Sequence, residues 1–129
     1  MSSSLINYCV VCKSCDFGCS SNTFMNVERT IKDESMKIED LNLNPELSHS
    51  IKDLGYTDLT PIQEKCIPEI REGKDVVGQS STGSGKTVAF GLPILEKVEP
   101  GKGVQSLILT PTRELCVQVT DAINTLGKY

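Results

Sequence analysis

The residues with the clearest chemical potential form one short stretch, residues 80–87, where small and hydroxyl-bearing side chains precede a lysine and a threonine. Small residues let successive backbone N–H groups turn toward one anion. The last three residues of the stretch, GKT, match the end of the phosphate-binding loop pattern. Its first position is a serine where the strict pattern has glycine. It therefore predicts a site for the phosphates of a nucleotide. Its members are Ser80, Ser81, Thr82, Gly83, Ser84, Gly85, Lys86 and Thr87.

Two residues of this loop have separate roles in the predicted chemistry. Lys86 would place a full positive charge on the terminal phosphates, and the Thr87 hydroxyl would ligate a Mg²⁺ ion that bridges phosphate oxygens. Residues 75–79 predict a short buried strand, and residues 86–98 predict a helix whose N-terminus faces the same phosphates. The alternative is a glycine–serine turn that precedes a lysine by chance. The strand–loop–helix context favours the nucleotide site.

A second group with ligand potential consists of four cysteines near the N-terminus: Cys9, Cys12, Cys15 and Cys19. Their spacing, C-x2-C-x2-C-x3-C, resembles that of a ferredoxin-type iron–sulfur site, and four thiolates this close together also suit Zn²⁺. Against an iron–sulfur site, Ser20 replaces the usual proline, and Cys66 and Cys116 supply no second ligand set. Two other interpretations stay open: free thiols in a disordered tail, or a leader that is not native, with translation starting at Met36.

Composition and charge exclude several classes of protein. The 129 residues carry 13 basic and 17 acidic side chains, so the net charge of −4 excludes a nucleic-acid binder that works by bulk positive charge. No apolar run approaches the ~20 residues that a membrane-spanning helix needs. Residues 5–11 lack the basic flank of a secretory signal. The cysteines therefore favour a reducing, cytoplasmic location over a disulfide scaffold.

The chain divides into a Cys/Ser-rich leader, residues 1–35, and a periodic part, residues 36–129. The leader has no sustained hydrophobic period, which predicts no regular structure. In the periodic part, residues 45–54 predict a helix. A second helix starts at Thr60, where Thr60 and Gln63 fit a capping box, and Pro68 predicts a kink or a break in it.

A further strand and a further helix are predicted after the loop. Residues 104–110 contain three consecutive large apolar side chains, which is typical of a parallel strand covered on both faces. Residues 112–126 align apolar side chains on one helical face. Alternating strands and helices predict an α/β fold with a parallel sheet. Two strands alone cannot form a stable sheet of this kind, so the rest of the sheet is either missing or supplied by another chain.

Three segments resemble, in order, the first three motifs of the DEAD-box RNA helicases. They are residues 55–63 (GYTDLTPIQ), residues 81–87 (STGSGKT) and residues 111–115 (PTREL). Three motifs in the right order and at the right spacing are more specific than one, and the resemblance covers residues 36–129. It implies the N-terminal part of a RecA-like, P-loop domain that uses ATP and Mg²⁺ and contacts RNA.

The resemblance also implies which residues bind the base. Gln63 would read adenine through its amide donor and acceptor, supported by Thr60. The same amide could instead serve only the capping box with Thr60. Ile38 stands where the family usually has an aromatic residue. An aromatic ring would stack on adenine, whereas isoleucine would offer an apolar contact alone.

Contact with RNA is implied for Pro111, Thr112 and Arg113, which resemble the segment that meets the sugar-phosphate backbone without reading its sequence. Without the resemblance, a surface ion pair with Glu114 or a neighbour would be the preferred interpretation of Arg113.

The 129 residues contain no Asp-Glu-Ala-Asp segment and no second RecA-like domain. Phosphoryl transfer depends on positioning and electrostatics that these parts would supply. We therefore expect this polypeptide alone neither to hydrolyse ATP nor to unwind RNA, and we expect the missing domains or another protein to complete the fold. The alternative is a nucleotide-binding remnant or regulatory module without catalysis. A transport-type P-loop ATPase would leave residues 55–63 and 111–115 unexplained.

Overall fold

An α/β arrangement is present in the part of the chain that the computed structural model describes, residues 7–11, 22–26 and 36–129. None of the helices in these residues is long and apolar enough to cross a membrane. The elements in chain order are β1 (Asn7–Val11), β2 (Asn22–Asn26), a 3-10 turn (Ile38–Leu41), α1 (Pro45–Asp53), α2 (Pro61–Arg71), β3 (Asp75–Ser80), α3 (Lys86–Lys97) and α4 (Arg113–Leu126).

The first two α-helices begin where local chemistry predicts. The Asn44 side chain accepts a hydrogen bond from the backbone N–H of Leu47 at 2.9 Å, and Gln63 Oε1 accepts one from the backbone N–H of Thr60, also at 2.9 Å. Of the kink or break predicted at Pro68, the break does not occur, since α2 continues to Arg71. A proline removes only one backbone hydrogen bond, and the buried side chains around it hold the helix against the core.

Two groups of buried apolar side chains form the core, and α2 and α3 contribute to both. Glycines mark where elements come closest. A Cβ added at Gly78 in β3 would lie 3.2 Å from Cys66 Sγ of α2, and one added at Gly91 in α3 would lie 2.6 Å from Ile123 Cδ1 of α4. The first group of core side chains consists of Ile38, Leu41, Leu47, Ile51, Leu59, Ile67, Val88, Leu92 and Leu126. The second is Ile62, Cys66, Ile70, Val76, Ala89, Phe90 and Val119.

The sheet differs from the predicted one in the source of its strands. Its order is β1-β3-β2, with β1 antiparallel and β2 parallel to β3. Asn7 lies opposite Ser80, and Asn22 lies opposite Asp75. Two segments of the leader, for which the sequence predicts no regular structure, thus provide both neighbours of the strand that leads into the phosphate loop.

The prediction of a buried strand at residues 104–110 is wrong for this structure. The segment is in no strand, and Val104, Leu107 and Leu109 are 92%, 80% and 85% exposed. A strand needs a partner for its backbone N–H and C=O groups as well as an apolar sequence. Both edges of β3 are occupied by β1 and β2, so residues 104–110 cannot pair with β3, the strand beside which the sequence predicts them to lie.

Pairing between β1 and β3 can be tested by amide exchange. Alternate amides of a strand point to opposite sides, so replacing Val10 and Val11 together by proline removes at least one amide that faces β3. We expect exchange at residues 75–80 to accelerate by about tenfold in this variant, measured by mass spectrometry. The same double substitution at Ser2 and Ser3, outside β1, is the control. Equal exchange in all three proteins would show that β1 does not protect β3.

Candidate functional site

The loop between β3 and α3 turns through two glycines that need a left-handed backbone. Gly83 has φ +75° and Gly85 has φ +82°, values that other residues adopt only with strain. Gly85 is the N-cap of α3, so the loop leads directly into the first turn of a 12-residue helix. Residues 81–83 are exposed and residues 84–87 are half-buried. A glycine-bearing turn that leads into a helix N-terminus is the kind of backbone that can bind a phosphate group.

Lys86 folds back over the loop. Its Nζ donates hydrogen bonds to the backbone oxygens of Ser80 and Ser81, both at 2.8 Å. The hydroxyls of Ser80 and Ser84 hydrogen-bond to each other across the loop. The ammonium group is therefore held at the loop, and Thr87 follows it as the second residue of α3. Both predicted phosphate residues thus belong to one turn of chain.

Thr60 and Gln63 join the start of α2 to this loop. The Thr60 hydroxyl donates to the backbone oxygen of Ser84 at 2.7 Å. Gln63 is fully buried, and its Nε2 donates to the backbone oxygen of Gly85 at 3.1 Å, while its Oε1 accepts from Thr60 as described above. The capping role that the sequence offered as an alternative is therefore present. The link from Gln63 to the loop is a contact that sequence reasoning missed.

Gly85 shows how close that link is. A Cβ added at Gly85 would lie 2.3 Å from Gln63 Nε2 and 3.3 Å from Thr60 Oγ1. Only glycine therefore fits between the loop and α2 without displacing these side chains. Nothing in the sequence pairs Gly85 with Gln63, so this contact could be found only from the structure.

Ile38 lies in the core, where its side chain is 5% exposed. Its backbone N–H donates to Thr57 O at 3.2 Å, and the Leu59 N–H donates to Met36 O at 2.9 Å. Residues 36–38 thereby hold the segment that leads into Thr60. The contact of Ile38 with adenine stays a prediction.

Pro111, Thr112 and Arg113 are exposed at the start of α4. The Thr112 hydroxyl accepts from the Leu115 N–H at 3.3 Å, which caps the helix. Within the described residues, no hydrogen bond links residues 111–113 to the phosphate loop, and Arg113 makes no ion pair, with Glu114 or otherwise. Their contact with RNA stays a prediction.

The cysteines fall into two sets. Cys9 lies in β1 opposite Gly78, whereas the other three leader positions, Cys12, Cys15 and Cys19, lie outside the described residues, so the metal site stays a prediction. Cys66 is a free thiol and lines a small cavity, together with Lys86. Burial raises the pKa of the Cys66 thiol, which keeps it protonated and unreactive at neutral pH.

Comparison with known proteins gives consistent matches to one family. The family model described as DEAD/DEAH box helicase matches residues 60–129. The chain is 50% identical over 94 residues to an ATP-dependent RNA helicase CshA of Limosilactobacillus reuteri, covering 72% of this chain and 19% of that protein. It is 44% identical over 90 residues to a DEAD-box ATP-dependent RNA helicase RhpA of Helicobacter pylori, covering 70% and 18%. The chain thus spans about a fifth of the length of these relatives.

Solved structures give the same result. A DEAD box protein from the hyperthermophile Methanococcus jannaschii superposes with a TM-score of 0.65 at 38% identity, covering 71% of this chain and 26% of that one. A hypothetical ATP-dependent RNA helicase from Sulfolobus tokodaii superposes with a TM-score of 0.60 at 42% identity, covering 67% and 25%.

Proposed function

Because the chain belongs to the DEAD/DEAH box helicase family and has a RecA-like α/β fold, we propose that its loop between β3 and α3 binds ATP with Mg²⁺. The observation that carries this proposal is the direct contact of two motifs. Thr60 and Gln63 hydrogen-bond to the backbone of Ser84 and Gly85, immediately before Lys86. The residue proposed to read the base is thereby fixed next to the residue proposed to bind the phosphates.

The phosphates would be held by the loop itself. The N–H groups of the loop and of the first turn of α3 would donate to phosphate oxygens. Lys86 would exchange the carbonyl oxygens of Ser80 and Ser81 for charged phosphate oxygens, which are stronger acceptors. Thr87 would hold Mg²⁺ through its hydroxyl. The ion would neutralise phosphate charge.

Adenine would be read by hydrogen-bonding capacity that Gln63 retains. A side-chain amide has two N–H donors and two acceptor lone pairs. In the structure one N–H is used by Gly85 O and one lone pair by the Thr60 N–H. The second N–H and the second lone pair match N7 and N6 of adenine. Because Gln63 is fully buried, reading the base also requires neighbouring residues to move aside.

RNA would meet the exposed start of α4. Arg113 has no ion-pair partner among the described residues, so its forked guanidinium is available to a backbone phosphate. We propose that the larger protein couples ATP hydrolysis to RNA unwinding in the cytoplasm, and that the 129-residue polypeptide alone binds without turnover. Segments beyond these residues or another protein would complete the fold. The second candidate is a nucleotide-binding module without catalysis, for which the same site would serve.

Titration with a fluorescent ATP analogue and Mg²⁺ tests the proposal. We expect saturable binding and a preference for ATP over GTP of about tenfold, the scale of one lost amide–base pairing. Gln63→Ala should abolish that preference, and Gln105→Ala, at an exposed glutamine, should keep it. Folded wild-type protein without a saturable signal for either nucleotide would refute the function.

A further inference from the structure

The far ends of α2 and α3 are joined by an ion pair that lies outside the nucleotide site. Arg71 Nε donates to Glu96 Oε2 at 2.8 Å, and Arg71 Nη2 donates to Glu96 Oε1 at 2.7 Å. The side chains are only 28% and 17% exposed. Two parallel hydrogen bonds between half-buried charges fix both the distance and the orientation of the two helices.

The same arginine joins a third element. Arg71 Nη1 donates to the backbone oxygen of Leu41, in the 3-10 turn, at 2.7 Å. Lys97 of α3 adds contacts to the last turn of α2, with its Nζ at 2.9 Å from Ile70 O and 3.1 Å from Arg71 O. The C-terminal end of α2 is therefore bound by two charged residues of α3, Glu96 and Lys97, and by a backbone carbonyl of the 3-10 turn.

The near ends of the two helices are joined at the site through Thr60 and Gln63. Helix α2 thus contacts the start of α3 at one end and the last turn of α3 at the other. The two ends of α2 are about 16 Å apart. Moving α2 along α3 would break hydrogen bonds at both ends at once, and at the far end it would leave two half-buried charges without their partners.

We propose that Arg71 is a positioning residue, which sets the axial position of α2 on α3 through Glu96 and Leu41 and thereby sets where Gln63 stands relative to Lys86. This inference rests on the proposed nucleotide site. Base and phosphates are covalently joined and span a limited distance, so an amide displaced along the helix axis loses the base while the loop still holds the phosphates. The expected consequence of losing Arg71 is a loss of base selectivity, without a loss of phosphate binding.

Other ion pairs of the protein provide a contrast. Lys102 pairs with Glu99 three residues earlier, and both side chains are more than 60% exposed. This pair connects no two helices. Lys102→Met therefore removes a cation of the same charge without affecting how α2 lies on α3, which makes it the matched control.

The experiment compares Arg71→Met, Lys102→Met and the wild-type chain. Methionine keeps most of the apolar stem and removes the fork. We expect Arg71→Met to lower ATP affinity by about tenfold and to bring the ATP-to-GTP ratio near one, with the affinity for inorganic tripolyphosphate changed by less than about twofold. Lys102→Met should change none of these values. A folded Arg71→Met protein that keeps the wild-type ATP-to-GTP ratio would overturn the inference.

A second variant covers the case in which Arg71→Met does not fold. Glu96→Gln keeps an acceptor for Arg71 but removes the charge, so we expect a partial loss of base selectivity in the same titrations. An unchanged ratio in folded Glu96→Gln would count against the inference. If the wild-type chain bound neither nucleotide, the proposed function would fail and this inference with it. A selective wild-type chain with equally selective variants would refute the positioning role alone.

Discussion

Lys86→Ala is expected to weaken the binding of ATP with Mg²⁺ by roughly 50-fold, or ~2.3 kcal/mol, the scale of one hydrogen bond to a charged group. In the structure the ammonium group already donates to Ser80 O and Ser81 O. The contribution of Lys86 to ATP binding is therefore the gain in free energy from exchanging neutral carbonyl oxygens for charged phosphate oxygens. Titration with labelled ATP and Mg²⁺ measures this effect.

The control for Lys86→Ala is Lys102→Ala, which removes the same charge from an exposed pair with Glu99. We expect it to leave ATP affinity within about twofold, since a surface ion pair contributes little. Urea unfolding should show that Lys86→Ala is nearly as stable as wild type, because Lys86 contacts the rim of the loop, where Ser81 is exposed to water. Equal ATP affinity of Lys86→Ala and wild type would contradict the assignment of this loop.

The starts of the helices could be predicted because they depend on residues that are close in sequence. Asn44 accepts from the N–H of Leu47 three residues later, and the Thr60 N–H donates to Gln63, again three residues later. Such contacts need no knowledge of the rest of the fold. The phosphate loop was predictable for the same reason, since its glycines adopt their left-handed conformations within one turn of chain.

The second contact of Gln63 could not be predicted in this way. Gln63 Nε2 meets Gly85 O across 22 residues, and Arg71 meets Glu96 across 25. Local patterns do not show which turn of one helix will face another. From the sequence, helix capping and adenine reading are two competing roles for the Gln63 side chain. The structure shows capping together with a link to the loop, and adenine reading stays a prediction.

Strand pairing was the least predictable feature. Residues 104–110 have the apolar sequence of a buried strand, yet they are largely exposed. Residues 7–11 and 22–26 belong to a leader with no hydrophobic period, yet they pair with β3. An apolar pattern expresses a preference for burial, whereas a strand forms only where another strand offers hydrogen-bonding groups in register. That partner is a property of the whole fold.

Gly85→Ala is expected to have the largest effect on stability, a loss of ~3 kcal/mol in the free energy of unfolding. Two causes add up at this position. The φ angle of +82° places any other residue in the left-handed region, which costs about 1–2 kcal/mol. The new Cβ would also lie 2.3 Å from Gln63 Nε2, and overpacking typically costs about 1–3 kcal/mol more. Gln63 cannot move freely, because it is fully buried and hydrogen-bonded at both ends of its amide.

Gly101→Ala separates the two causes. Gly101 has nearly the same φ, +83°, but a Cβ there meets nothing within 4 Å, so we expect a loss of only about 1–2 kcal/mol. Combining Gly85→Ala with Gln63→Ala should recover part of the loss, because the shorter side chain makes room for the methyl group. Urea unfolding of wild type, Gly85→Ala, Gln63→Ala and the double variant gives this coupling energy, and Gly101→Ala is measured beside them. Equal losses for Gly85→Ala and Gly101→Ala, with no coupling to Gln63, would mean that α2 does not press on the phosphate loop, and the joining of the two motifs would lose its physical basis.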